Sequence, residues 1–359
     1  MQSHSAQSPS NPTVVMLTPS CHPAHGGVET HVAEVSQELN KMGWQVLMLT
    51  PPPINKRPGG KLGLIWLWGW MLGQLPLLSV ANVIQIHDVF LWFWPVWPLI
   101  KLIWWYRRIL GKMPGKIITT FHGWEGNFPP TFWQKFNKWL AEHLSTATVA
   151  VGDYLPQFYP IRPQVITYGG VRVSGAELSA LSATSASLAR STDKPDLIYF
   201  GRLADDTGLA LLLETLKNEP QNDEIATLKL EFWGDGSLRS ACQKFGTVVG
   251  WVDQPVKKLQ QLAPTWVLAS GYLSVLEALA VGHKVVVIAD NQLKLAYYQL
   301  SPLVSDLVIL KSPTELRDFL SHQFKTPILR TDSQIQARRI QQQFSWQKVA
   351  KIYQTFYET

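Results

Sequence analysis

Residues 14–50 constrain the fold most, because two short apolar runs flank one amphipathic run in this stretch. The runs VVML and QVLML predict buried strands, whereas the apolar residues between them recur at helical spacing and predict a helix that packs on a sheet. Gly26 and Gly27 stand where that helix begins, and Gly43 stands where it ends. The free N–H groups and the dipole of a helix start favour an anion, so we expect both glycines to lie against a phosphate or polar ligand. A tight turn also needs glycine for steric reasons, and this alternative stays open.

The same alternation recurs in the second half of the chain. Residues 197–203 (LIYFGRL) and 228–238 (LKLEFWGDGSL) each predict a strand that ends in a glycine turn. Residues 270–290 predict a glycine turn, a helix and a further buried strand. A chain of 359 residues is longer than one hydrophobic core usually supports, so two domains are expected. With the alternating strands and helices, this predicts an α/β fold with two doubly wound parallel sheets. We expect a ligand between the sheets, at the carboxyl edges of the strands.

Five motifs follow one another along the chain, and their order is more specific than any one of them. They are GGVETHV near the start, FHG in the middle, then GRL, GDG and a helix bearing LEALAVG. In this order the chain resembles the family-4 retaining glycosyltransferases of the GT-B fold, over nearly its whole length. The resemblance implies two Rossmann-like domains that face a central cleft. It also implies transfer of a sugar from a nucleotide-diphosphate sugar, with retention at the anomeric carbon and without a metal or other cofactor.

The resemblance implies donor-site roles in the second half. Arg202 of GRL would contact the donor diphosphate, since a guanidinium binds phosphate oxygens bidentately. Glu277 would bind the nucleotide ribose, and Gly234 of GDG would shape a turn beside the base. A helix start would supply N–H groups for the diphosphate through Gly271, Tyr272, Leu273 and Ser274. Two alternatives stay open: an ion pair of Arg202 with Asp205 or Asp206, and a pairing of Glu277 with Lys284.

The resemblance assigns one further catalytic candidate to the first half. His122 of FHG would reach the transferred sugar and complete a catalytic set with Arg202 and Glu277. A loop histidine satisfied by its neighbours is the alternative. Glu125 and Asn127 are polar candidates for contact with the acceptor or the sugar.

Three positions depart from the family pattern. Thr207 stands where the family has a lysine, five residues after the arginine of GRL. Ala269 and Ser270 stand where the first glutamate of Glu-x7-Glu is expected, and Gly169 replaces the asparagine of Asn-Gly-Val. A non-catalytic GT-B-like protein that binds a nucleotide sugar or glycan, or scaffolds a membrane complex, is therefore the alternative function.

Composition places the boundaries of the predicted parts. The polar start lacks the apolar core of a secretion signal, and a Ser-, Ala- and Thr-rich stretch in mid-chain predicts a linker. The predicted parts are a flexible terminus (1–12), an acceptor-side, membrane-facing domain (13–172), a linker (173–195), a nucleotide-sugar-binding domain (196–340) and a last helix that returns toward the first domain (341–359). A plain surface helix is the alternative for the last part.

The two cysteines lie in different predicted domains. Cys21 and Cys242 are therefore not expected to form a disulfide, which favours a reducing cytoplasm. Cys21 and His22, with His25 three residues further on, superficially suggest a metal cluster. No second Cys/His pair at zinc-finger spacing accompanies them, so we predict no metal site.

Charge and tryptophan are concentrated between residues 39 and 124. Asp88 is the only acid there, and the bases are Lys41, Lys56, Arg57, Lys61, Lys101, Arg107, Arg108, Lys112 and Lys116. The same stretch holds ten of the sixteen tryptophans. Interleaved tryptophan and basic residues are typical of the headgroup region of an anionic bilayer. We predict that residues 56–116 contact the inner face of the cell membrane, with Trp104 and Trp105 inserting, and that the acceptor is a lipid-linked or membrane-associated glycan of the cell envelope.

Three other interpretations of this stretch stay open. Leu62–Ile86 carries no charge and could span a membrane, although glycines and amides interrupt it. The bases and aromatics could bind nucleic acid, but no recognised module accompanies them, so a nucleic-acid partner is not expected. The aromatics could also simply fill the core of the first domain.

Overall fold

The computed structural model describes residues 12–20, 26–53, 56–111, 113–123, 128–172, 195–218, 223–322 and 328–359. The chain divides into two compact units. Unit 1 comprises residues 1–167 and 346–359, and unit 2 comprises residues 168–345. The last helix therefore belongs to the same unit as the first strand.

Unit 1 is built on a six-stranded parallel sheet of order β2-β1-β3-β4-β5-β6. Its strands are β1 Thr13–Leu17, β2 Gln45–Leu49, β3 Val83–His87, β4 Lys116–Phe121, β5 Ala147–Val151 and β6 Val165–Thr167. Its helices are α1 Gly27–Lys41, α2 Gly60–Gly73, α3 Leu75–Val80, α4 Phe90–Phe93, α5 Trp97–Ile109, α6 Phe132–Leu144, α7 Leu155–Phe158 and, last in the chain, α16 Trp346–Glu358.

Helix α1 packs in this unit through an apolar stripe, as its helical spacing predicts. Its apolar positions Val32, Val35 and Leu39 are fully buried. Helix α16 packs against α1, where the rings of Trp44 and Tyr357 meet edge to face at 5.0 Å between centroids. Strands β3 and β5 lie inside the sheet and are buried at every position, as parallel strands covered on both faces are. Strand β2 lies at the edge of the sheet and is buried only at Leu49, so the prediction that it is a buried strand is wrong.

Unit 2 has a second six-stranded parallel sheet, of order β12-β11-β10-β7-β8-β9. Its strands are β7 Leu197–Phe200, β8 Leu230–Trp233, β9 Thr247–Gly250, β10 Trp266–Ala269, β11 Lys284–Ile288 and β12 Leu307–Leu310. Its helices are α8 Leu209–Asn218, α9 Asp223–Ala226, α10 Arg239–Cys242, α11 Pro255–Gln260, α12 Tyr272–Ala280, α13 Gln292–Gln299, α14 Pro313–Ser321 and α15 Arg330–Gln343. The predicted fold class, an α/β fold with two doubly wound parallel sheets, is confirmed.

Strand order locates the ligand-binding edge of each sheet. In unit 2 the order reverses between β7 and β10, and in unit 1 it reverses between β1 and β3. In open α/β sheets, ligands bind outside the carboxyl ends of the strands at this switch point. The loops after β7 and β10, and those after β1 and β3, are therefore where site residues are to be sought.

The structure corrects one part of the tryptophan prediction. Trp104 is a core residue with 2% of its surface exposed, and its indole Nε1 donates to the carbonyl of Ser79 at 3.3 Å. Its neighbour Trp105 is 60% exposed. Adjacent residues on a helix are about 100° apart, so Trp104 faces the core of unit 1 while Trp105 faces solvent. No helix in the part of the chain that the structure describes is long and apolar enough to cross a membrane.

Several predicted residues lie outside the described residues. They are Cys21, His22, His25, Lys112, Glu125 and Asn127, and with them the N-terminal residues 1–11 and most of the predicted linker, residues 173–194.

Candidate active site

The loops after β7, β8 and β10 pack closely at the switch point of unit 2. Gly201 follows β7 with a φ of 153°, and a Cβ there would collide with the hydroxyl of Ser270, which follows β10. Gly234 follows β8 with a φ of 149°, and a Cβ there would collide with the carbonyl oxygen of Gly201. Side chains are excluded at both positions, so the ends of β7, β8 and β10 approach one another closely.

Arg202 extends from this junction toward solvent. Its side chain is 64% exposed, and its Nη2 lies 2.6 Å from Oδ2 of Asp206. The ion-pair alternative therefore describes the geometry of the ligand-free chain. An exposed pair of this kind is worth at most about 1 kcal/mol, so a diphosphate could replace Asp206 at little cost.

Thr207 cannot replace the family's lysine. Its side chain is buried, its hydroxyl lies 2.8 Å from the hydroxyl of Tyr199, and it donates to the carbonyl of Ala204 at 2.6 Å. Burial raises the pKa of Tyr199 to about 12, so this pair is neutral at physiological pH. Arg202 is thus left as the cation that this loop presents.

Helix α12 begins beside these loops. The residue before it, Gly271, donates its N–H to Ser274 Oγ at 3.2 Å, and that hydroxyl donates back to the carbonyl of Gly271 at 3.0 Å. The next amide, of Tyr272, donates to the hydroxyl of Tyr297 at 2.7 Å. Glu277 lies half-buried further along the helix, while the ammonium of Lys284 contacts Gln336 at 3.5 Å.

The site residue of unit 1, His122, lies in a cluster of three histidines. Its Nε2 is 2.8 Å from Nδ1 of His87, the residue that ends the neighbouring strand β3. Its backbone N–H donates to Asp88 Oδ2 at 2.9 Å. Asp88 has a φ of 58°, and the buried ammonium of Lys138 lies 3.3 Å from its other carboxylate oxygen. The strand ends of β3 and β4 are thereby held together around His122.

His31 of α1 completes this cluster from the other side. Its ring meets that of His122 edge to face at 4.6 Å, and its Nε2 is 3.0 Å from the hydroxyl of Tyr353 on α16. Burial lowers the pKa of His31 to about 3. Burial and the neighbouring histidines lower the pKa of His87 and His122 well below 6.5. All three rings are therefore neutral at pH 7, and His122 can exchange hydrogen bonds without carrying charge.

The glycine pair of α1 meets an anion that the chain itself supplies. Gly27 starts the helix and Gly26 precedes it, and a Cβ on Gly26 would collide with the carboxylate of Glu29. Ser20 donates its hydroxyl to the same carboxylate. Negative charge at the helix start is stabilising. The carboxylate of Glu29 therefore supplies, at the start of α1, the negative charge that a phosphate was expected to supply.

The described residues hold no group of three or more His, Cys, Asp or Glu residues that could bind a metal ion. In the histidine cluster, His87 and His122 bond to each other, and His31 bonds to Tyr353.

Comparison with known proteins supports this fold. Residues 25–171 match the family model of Glycosyltransferase Family 4. The fold matches a glycosyltransferase from Rickettsia africae ESF-5 with a TM-score of 0.61 and 13% identity, over 97% of this chain and 98% of that one. The first half of the chain is therefore similar to Glycosyltransferase Family 4, and the whole chain has the GT-B fold. The family match covers most of unit 1, and the likeness to solved structures extends the fold to unit 2.

Two further solved structures share the fold of this chain. An α-glucosyltransferase in complex with UDP and a 13-mer DNA has a TM-score of 0.52 and 10% identity, covering 96% of this chain and 98% of that one. Arabidopsis thaliana UGT89C1 with quercetin has a TM-score of 0.52 and 13% identity, covering 92% and 94%. Among curated proteins, no sequence matches this chain. At these identities the likeness shows the fold alone.

The sequence did not single out four residues of these two clusters. They are His31, His87 and Tyr353 in unit 1 and Tyr297 in unit 2. His87 carried the clearest signal, because it stands at the end of an apolar strand, and His122 directly follows the next one. Tyr353 and Tyr297 carried none, since each reaches its partner across a long sequence separation.

Proposed function

We propose that this chain is a retaining, metal-independent glycosyltransferase that moves a sugar from a nucleotide-diphosphate sugar to a lipid-linked or membrane-associated glycan. The junction of Gly201, Gly234 and Ser270 beside Arg202 and the start of α12 is the observation that supports a donor site. Arg202 and the N–H groups of α12 would bind the diphosphate as negative charge builds on it. Glu277 would bind the ribose hydroxyls.

The reaction proposed is a front-face substitution. The bond between the anomeric carbon and the diphosphate oxygen breaks, and the acceptor oxygen bonds to the same face of that carbon. The acceptor's proton passes to the departing phosphate oxygen. His122 would hold the transferred sugar by a hydrogen bond from its neutral ring, because its lowered pKa excludes a role as a proton-bearing acid near pH 7.

The surface of unit 1 supports a membrane-bound acceptor. Large apolar side chains stand exposed on α2 and α5: Leu62, Ile65, Leu102, Trp105, Tyr106 and Ile109. Exposed apolar patches of this kind mark interaction sites. Lys56 and Arg108 are exposed beside them, and the one acid of the stretch, Asp88, is engaged by Lys138. A surface that is apolar and basic and lacks a free acid matches an anionic bilayer.

Vesicle sedimentation tests the membrane part of the proposal. Binding should rise with the fraction of phosphatidylglycerol in phosphatidylcholine vesicles and fall with salt, because the attraction is screened. The double variant Lys56→Glu/Arg108→Glu should lose most of this binding. The matched control, Lys217→Glu/Lys311→Glu, makes the same charge change on exposed residues of unit 2 and should bind as the wild type does. Equal binding by both variants would contradict the proposal.

A non-catalytic nucleotide-sugar- or glycan-binding protein is the second candidate. Buried Thr207 and apolar Ala269 favour it, since both stand where the family has a charged residue. A hydrolysis assay with common nucleotide sugars separates the two functions. The quantity measured is the nucleoside diphosphate that is released. Release that persists in EDTA supports the metal-independent enzyme, whereas release restored only by added metal would exclude it. Binding of a nucleotide sugar without any release would favour the second candidate.

A further inference from the structure

Two tyrosines of unit 2 form a reciprocal clamp at the start of α12. The rings of Tyr272 and Tyr297 stack with centroids 3.8 Å apart and planes 11° apart. The hydroxyl of each reaches the backbone of the other: Tyr297 Oη accepts the N–H of Tyr272 at 2.7 Å, and Tyr272 Oη donates to the carbonyl of Tyr297 at 2.6 Å. The two rings therefore lie antiparallel.

Tyr297 is held in this position by its own helix. Helix α13 begins at a capped residue, because the side chain of Asn291 accepts the N–H of Lys294 at 3.0 Å. The ammonium of Lys294 lies 2.8 Å from Asp290 at the same end of the helix. The ring of the next residue, Tyr298, is buried and meets that of Tyr297 edge to face at 4.9 Å. These contacts fix the direction in which Tyr297 points.

The hydroxyl of Tyr297 occupies a position that an anion would otherwise take. The amide of Tyr272 belongs to the first turn of α12, where N–H groups have no partner within the helix. Gly271 satisfies its amide through Ser274. Ser274 closes the same turn onto Gly271. A phosphate at this helix start would compete with the Tyr297 hydroxyl for the Tyr272 amide.

We propose that Tyr297 is an internal cap on the diphosphate site, which a nucleoside diphosphate must displace in order to bind. The inference rests on the proposed donor site at the start of α12. The cap satisfies the Tyr272 amide while no ligand is bound, and it lowers the affinity for every ligand that carries a phosphate at this position. It does not act on the nucleoside part of the donor.

Isothermal titration of three probes, UDP, inorganic pyrophosphate and uridine, tests the cap. In the variants Tyr297→Ala and Tyr297→Phe, UDP and pyrophosphate should bind about fivefold tighter. This is the change in affinity that corresponds to the net free energy of one neutral hydrogen bond. Uridine should bind as it does to the wild type. The matched control is Tyr298→Phe, which removes a hydroxyl from the adjacent residue without freeing the amide of Tyr272. Thermal melting verifies that each variant is folded.

Three results would overturn the inference. Equal binding of UDP by the wild type and both Tyr297 variants would show that the hydroxyl does not compete with phosphate. Weaker binding by folded Tyr297 variants would make Tyr297 a ligand contact rather than a cap. If none of the four proteins binds UDP or pyrophosphate, the donor site itself is wrong, and the cap is wrong with it.

Discussion

Lowering the pH from 7.5 to 5 should destabilise unit 1, because its three clustered histidines are neutral when folded. The pKa of His31 is lowered by burial from 6.5 to about 3. Below pH 6.5 the unfolded chain therefore binds a proton at His31 that the folded chain does not bind. Since the unfolded state holds more protons in this window, the free energy of unfolding falls as the pH falls from 6.5 toward 3.

The size of the effect follows from the same two pKa values. At pH 5 the unfolded state gains roughly 2 kcal/mol from protonation of His31, while the folded state, with a pKa about two units lower than this pH, gains almost nothing. His87 and His122 add to this loss, because burial also lowers their pKa values. The total loss in unit 1 should therefore exceed the share of His31.

Tryptophan fluorescence during urea unfolding measures this loss selectively. Thirteen of the sixteen tryptophans belong to unit 1, so the signal follows that unit. The variant His31→Gln should lose about 2 kcal/mol less than the wild type between pH 7.5 and pH 5. His143→Gln, at an exposed position on α6, should show the loss of the wild type. An unchanged pH dependence in folded His31→Gln would refute the burial argument.

Three further predictions concern the core, the donor site and the ion pair of Asp88 with Lys138. Trp104→Ala should cost about 3–5 kcal/mol of unfolding free energy because it empties a core position, whereas Trp105→Ala should leave urea unfolding unchanged and weaken vesicle binding at high salt. Arg202→Ala should lower donor turnover ~100-fold or more, and a wild-type rate in the folded variant would remove Arg202 from the site. Glu277→Gln should mainly weaken UDP binding, and wild-type affinity in the folded variant would remove Glu277 from the site. Lys138→Met should destabilise unit 1 by about 3 kcal/mol, because it leaves Asp88 without its buried cation, and urea unfolding at pH 7.5 that matches the wild type would contradict this.

Local sequence determined the elements of both units. Alternating apolar runs and amphipathic stretches predicted two parallel sheets, and the glycine at residue 43 lies past the end of α1 with a φ of 91°. Such signals are local, since burial of a strand and the end of a helix depend on the residues within one element. The order of the motifs also indicated the GT-B fold, through the resemblance to that family. The glycines of two of these motifs, Gly201 and Gly234, stand where the structure leaves no room for a side chain.

Tertiary structure alone decided which side chains surround the candidate site residues. Trp104 and Trp105 are the same residue type in the same run, and only the packing of α5 on α3 makes one of them core. His31, His122 and Tyr353 come together because α16 returns to α1 across more than 300 residues of sequence. Tyr297 reaches the amide of Tyr272 in the same way, from a different helix. Contacts between distant elements depend on how whole helices pack, and no pattern within either segment contains that information.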